Sequence, residues 1–317
     1  MSNIINKIKR HIVEINRKKQ LTAGLSIVSN IVLTALKLFA GAISGSLSII
    51  SEAIHSFSDF AASLLTFFSV KKSSQPADKD HPYGHGKYED MAGFLEGLLI
   101  IIAALFIIYE SSKKILFGGI YASENNLGIA VMLIAILMNI LVSSLLFKIA
   151  KESNSIALYA DCQHLRTDVY SSIGVLAGLI LIKYTGYTLL DSIIAIFVAG
   201  FIYRTGYKIS KQSIMRLLDY SLPNDDIERL KNIISEVHAN VILKKNSIKA
   251  RQLGPSTDID LILLFPRETS ICECHRICDE IEKKIRNVYV NASISIHFEP
   301  ECYNKNCPNL CEKDCTR

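Results

Sequence analysis

The chain has 317 residues, half of them hydrophobic, and a mean hydropathy of +0.28; a soluble domain of this length is less apolar and holds fewer long uncharged runs. The formal charge of +5 does not argue for nucleic acid, because basic residues in a membrane protein also set its topology. The apolar residues concentrate before residue 206 and the rest reads as a soluble sequence, which predicts a membrane domain over 1–206 and a polar domain over 207–317.

The first twenty residues, MSNIINKIKRHIVEINRKKQ, are basic but lack a continuous apolar core and a following cleavage site. They read as the approach to a retained anchor rather than a removable signal. Six stretches then approach the ~20 apolar residues a span needs: 21–43, 48–70, 91–110, 127–149, 156–183 and 188–206. The fifth is unusual. Its clean apolar run, Tyr170 to Ile182, is too short to span alone. The segment from Ala157 to Asp168 must therefore also lie at membrane depth, with Asp161, His164, Arg166 and Asp168 against protein or water rather than lipid.

Basic residues mark the sides. Lys7, Lys9, Arg10, Arg17, Lys18 and Lys19 precede the first span; Lys71, Lys72, Lys79 and Lys87 follow the second; Lys148 and Lys151 follow the fourth. The opposite loops hold only Lys113, Lys114 and Lys183. The positive-inside rule puts both termini in the cytosol, and six spans agree with that parity.

Two spans carry a His and an Asp four residues apart: His55 with Asp59, and His164 with Asp168. That spacing places both side chains of a pair on one helix face. Ionisable groups inside a membrane are costly and mark ion or proton pathways. At ~1.5 Å per residue, Asp59 lies roughly 16 Å and Asp168 roughly 22 Å inside the outer ends of their spans, so the pairs can meet near the bilayer middle. Two imidazoles and two carboxylates suffice for one tetrahedral metal site.

Beyond the spans, 224–238 reads as an amphipathic helix, 247–252 and 257–265 as strands, 271–286 as a helix and 292–298 as a strand alternating with period two. The order αββαβ predicts a small two-layer α+β domain. In the last strand His297 and Glu299 share the face opposite Ala292, Ile294 and Ile296. One cysteine, Cys162, lies in the membrane part; the others are Cys272, Cys274, Cys278, Cys302, Cys307, Cys311 and Cys315. In a cytosolic setting these are thiols rather than disulfides. Cys274 and Cys278 are one helical turn apart beside His275, and the tail spaces Cys302, Cys307, Cys311 and Cys315 as C-x4-C-x3-C-x3-C. Thiolates select soft metals, so these six are candidate ligands; a flexible tail of reduced thiols is the alternative. The spacing does not match an iron–sulfur run.

The stretch GSLSIISEAIHSFSDFAAS, the loop DHPYGHGKYE, the stretch HLRTD and the run LLDYSLP, in this order, resemble the cation diffusion facilitator family of divalent metal transporters. The resemblance covers residues 15–300. It implies a homodimer in the cell membrane with six spans, a cytosolic ferredoxin-like domain, and exchange of a divalent metal, usually zinc, for protons. It carries the transport site onto His55, Asp59, His164 and Asp168. Some bacterial members have Asp where this chain has His55. The His2Asp2 set resembles the zinc-selective members most; iron, manganese, cadmium and cobalt stay open. The resemblance also implies a loop site at Asp78, His81 and His85 and a C-terminal site at His275, His297 and Glu299, with Glu for the usual Asp. Two further positions of that site carry Asn246 and Ile262, and Ile cannot ligate. An ion pair between Lys87 and Asp219 is implied as well.

Metal needs neutral imidazole and ionised carboxylate, so protons and metal compete for the site, and an ordinary imidazole titrates near pH 6.5. No H-E-x-x-H helix motif occurs, which speaks against an intramembrane metalloprotease and against an enzyme. A membrane-anchored metal sensor without transport is the remaining alternative.

Overall fold

The computed structural model describes residues 2–44, 47–117, 126–185, 189–237 and 242–301. These fall into two compact units, Met1–Leu218 and Asp219–Arg317. The division lies beyond residue 206 because the sixth helix continues as one rod to Leu217.

Among the described residues the first unit holds six long helices: α1 (Ser2–Ser44), α2 (Leu47–Ser73), α3 (Lys87–Phe117), α4 (Asn126–Ser153), α5 (Ile156–Thr185) and α6 (Leu189–Leu217). Among the described residues four segments are long and apolar enough to cross a membrane: Ile12–Ala40, Lys87–Leu116, Ala130–Ser153 and Ser192–Leu217. The other two long helices, α2 and α5, carry the His–Asp pairs. Large apolar side chains such as Ile102, Phe106, Leu137 and Phe197 point outward. A bundle in water would bury them; a bundle in lipid need not.

Small residues make the closest helix crossing. Gly93 and Gly97, one turn apart on α3, face α6. A Cβ added at Gly97 would lie 2.8 Å from the Ser210 amide nitrogen, and one at Gly206 would lie 2.9 Å from the Gly97 carbonyl oxygen. Backbones approach this closely in membranes only where side chains are absent or small. A second contact layer joins Ala23, Val70, Ala92, Val142, Leu146, Ala157, Leu158 and Leu165 across α1 to α5.

The second unit runs α7 (Asn224–Val237), β1 (Ile242–Leu253), β2 (Ser256–Phe265), α8 (Ile271–Val288) and β3 (Ala292–Pro300). This is the αββαβ order read from the sequence. The sheet order is β1-β2-β3. β1 and β2 form an antiparallel hairpin that turns at Gly254, whose φ of 56° favours glycine. β2 and β3 are parallel, joined across α8. Ile259, Leu261, Leu263 and Phe265 of β2 alternate onto one face and meet Leu230 and Ile234 of α7 and Ile277, Ile281 and Ile285 of α8. The Ser270 side chain caps α8 by accepting from the Glu273 amide at 3.2 Å.

Candidate metal centre

Asp59 on α2 and His164 and Asp168 on α5 bring their donor atoms together, all within 4.8 Å of one another. His164 Nε2 lies 3.1 Å from Asp59 Oδ1, and both residues are 7% exposed. The backbone around them is secured locally. Thr167 Oγ1 donates to the His164 carbonyl at 2.7 Å and Ser171 Oγ to the Asp168 carbonyl at 3.0 Å. Asn30 of α1 donates its side-chain amide to the Asp59 carbonyl at 3.3 Å. His55 lies on α2 one turn before Asp59; its side chain falls outside the described residues. A buried carboxylate and imidazole with a half-buried second carboxylate in apolar helices are a donor set for a divalent cation, and a fourth ligand would complete a tetrahedron.

The second described cluster is in the loop between α2 and α3, where Asp78, His81 and His85 also converge within 4.8 Å. Asp78 Oδ1 accepts from the amides of His81 at 2.7 Å and Asp80 at 3.1 Å, an Asx turn that closes the loop. Gly84, with φ of 84°, reverses the chain so that His85 returns beside His81, their rings 4.5 Å apart. His85 is buried and neither ring nitrogen makes a hydrogen bond; Nε2 lies 3.3 Å from Asp78 Oδ2, off hydrogen-bond geometry. The His81 amide holds the Asp78 carboxyl below the usual carboxylate range. Asp78 therefore stays ionised, and available as a ligand, down to lower pH than an ordinary Asp.

The remaining sequence candidates are placed differently. His275 and Asp279 form one exposed pair at 3.8 Å, His297 and Glu299 another at 3.8 Å. His275, His297 and Glu299 are not among the ligand clusters of the described residues. In the sheet, His297 stands opposite Ile262, and the Asn246 side chain lies outside the described residues. Cys274 and Cys278, candidate ligands in the sequence, are buried side chains of the C-terminal core. They sit on the apolar face of α8 with Ile277 and Ile281, and burial pushes both thiols up, Cys278 to about 11. A thiol so placed remains protonated and inert. Cys302, Cys307, Cys311 and Cys315 lie outside the described residues. Lys87 donates to the Leu217 carbonyl at the end of α6, at 3.2 Å, and Asp219 receives Arg251 at 3.1 Å.

Sequence reasoning missed a buried network. Glu89, in the first turn of α3, accepts from Lys19 of α1, Ser73 of α2 and Ser155 before α5. Lys19 and Glu89 are both fully buried. Glu96, deeper in α3, accepts from Thr66 of α2. A lone acid inside the run AGFLEGLLIIIAALFII was the available signal for Glu96. Lys19 gave none, since it stands in a run of basic residues that reads as solvated.

A bundle of long apolar helices that buries ligands for a cation defines an integral membrane protein handling metal ions. Residues 24–218 match the family model of the cation efflux transmembrane domain, and residues 222–301 that of the cation efflux protein cytoplasmic domain. The chain is 34% identical over 278 residues to the uncharacterized transporter sll1263 of Synechocystis, covering 88% of this chain and 89% of the relative. It is 28% identical to the cation-efflux pump FieF of Shewanella oneidensis, covering 89% and 94%. It is 29% identical to the magnetosome protein MamB of Magnetospira, covering 81% and 86%. The chain belongs to the cation diffusion facilitator family; it is a cation efflux transporter, not an enzyme, with a membrane domain and a cytosolic C-terminal domain.

Proposed function

We propose that the protein exports zinc from the cytosol in exchange for protons, through one site formed by His55, Asp59, His164 and Asp168. The observation that carries this reading is the convergence of buried Asp59 and His164 with half-buried Asp168 from two helices. All four residues are potential ligands of a borderline-soft dication, and imidazole favours zinc over magnesium or calcium. The ligands must lose protons to take metal and regain them to release it. A site opening alternately to each side then couples inward protons to outward zinc. In this reading all six long helices span the cell membrane, both termini are cytosolic and the working unit is a homodimer. The loop cluster Asp78, His81 and His85 captures metal at the membrane surface. His275, His297 and Glu299 offer weaker exposed ligands, and the cysteine tail a soft-metal trap.

The test is flux in proteoliposomes, with zinc, iron, manganese, cadmium and cobalt compared with and without a pH gradient. Zinc flux that rises with the gradient and disappears in Asp168→Ala supports the reading. Zinc flux indifferent to the gradient removes antiport; preference for another metal removes zinc; no flux of any metal would leave a membrane-anchored sensor. Truncation after Tyr303 tests the tail: unchanged zinc stoichiometry and flux would show that it holds no metal.

A further inference from the structure

Where α4 ends and α5 begins, alongside α6, a cavity of about 330 Å³ opens. Its lining is of two kinds. Phe147 and Tyr159, rings 6.4 Å apart, form an apolar wall with Ile156. Lys151, Lys208 and Arg216 supply three cations, and no carboxylate lines the space. Arg166 adds a fourth positive group beside the wall, its guanidinium 4.7 Å above the Phe147 ring.

The neighbouring acids offset only part of this charge. Glu152, next in sequence to Lys151, acts on Lys18 of α1. Asp90 forms an ion pair with Arg216 at 3.8 Å, while the buried Arg216 Nη1 makes no hydrogen bond. Lys151 and Lys208 make no ion pair among the described residues. The charge of the cavity repels a divalent cation and requires an anion. The aromatic wall adds a second requirement, since a small soluble anion gains nothing from it.

We propose that this cavity holds the phosphate headgroup of an anionic phospholipid, with the lipid's hydrocarbon running along the Phe147–Tyr159 wall. Basic pockets between membrane helices at the level of the headgroups have this specificity. The site is separate from the metal centre and does not depend on which metal is carried.

The test uses the full-length protein in nanodiscs of mixed phosphatidylcholine and phosphatidylglycerol with identical acyl chains. The lipid that stays bound after extraction is counted by native mass spectrometry. The wild type should retain phosphatidylglycerol in preference to phosphatidylcholine. The Lys151→Gln, Lys208→Gln double variant should lose about tenfold of that preference, while Lys151→Arg, Lys208→Arg keeps it. Equal retention of the two lipids by the wild type would overturn the proposal, and that measurement needs no variant to fold. An undiminished preference in a Gln variant that melts like the wild type would also overturn it. So would displacement of the lipid by inorganic phosphate at the same charge, which would make the site one for a soluble anion.

Discussion

At the scale of single residues, the two kinds of buried charge in this bundle make opposite demands. Asp59 and His164 lie 3.1 Å apart on helices whose backbone is held by local side-chain bonds, a donor pair that a metal could enter. Glu89 and Lys19 satisfy each other permanently. Removing one partner leaves a buried, uncompensated charge and should cost about 3–5 kcal/mol. Glu89→Leu and Lys19→Met should each lower the thermal midpoint in detergent steeply, and the double variant should recover most of the loss. A double-mutant cycle that comes out additive would refute the coupling. By contrast, Asp59→Asn should leave the midpoint nearly unchanged while abolishing metal flux, at least about 100-fold in the liposome assay, because it removes a ligand charge without emptying space. The candidate metal ligands stood out in the sequence because each of two spans carries a His and an Asp four residues apart. The Lys19–Glu89 pair was not, because its members are 70 residues apart and nothing local distinguishes a lysine that snorkels from one that is paired inside.

Among the elements, α3 and α6 are matched by the absence of side chains, and α8 by their pattern. Gly97→Val would push a branched side chain into the Ser210 amide and the Gly206 carbonyl of α6. The helices would separate, with a loss of roughly 1–3 kcal/mol, read as a lower melting midpoint. Gly200 has open space around its Cβ direction, so Gly200→Ala should be neutral or slightly stabilising. On α8 the period of Cys274, Ile277, Cys278, Ile281 and Ile285 was readable as an amphipathic helix, yet the two cysteines looked like ligands because cysteine serves both ends. What decides is the sheet they pack on, which the helix alone does not reveal. Their burial has a pH consequence. The Cys278 thiol, raised by burial from an ordinary 9.0 to about 11, and the Tyr289 hydroxyl, raised to about 12 by burial and its bond to Asp226, both favour their protonated forms in the folded domain. Their stabilisation is complete below about pH 9 and is lost as pH rises through the window from 9 to 11 and beyond. Chemical unfolding of the C-terminal domain should show constant stability from pH 6 to 8 and a decline above 9. A thiol reagent at neutral pH should label exposed Cys272 and spare Cys274 and Cys278 until the domain unfolds.

For the molecule as a whole, the two units have separate interiors. Asp219, in a left-handed conformation at φ 58°, is tied to β1 through Arg251, which also binds Asp258 at 2.8 Å. The second unit therefore begins with its own anchor, and residues 219–301 expressed alone should fold cooperatively, with the marginal stability of a small domain. A noncooperative melt of that fragment would show that it needs the bundle. The division was legible as a fall in hydropathy, though α6 carries the first unit past that fall, since its last turns are polar on the outside while Ile209 and Ser213 remain buried.

The Glu89 carboxylate also fixes where the bundle can bend. It gathers donors from α1, α2 and the start of α5 onto the first turn of α3. Hydrogen bonds of this kind do not stretch; a slide of one helix by an ångström or two breaks them outright. These helix ends therefore travel as one block. Opening the metal ligands toward the far ends of the helices leaves this block intact, whereas opening them past Glu89 must break its hydrogen bonds, so the two directions of opening carry unequal costs.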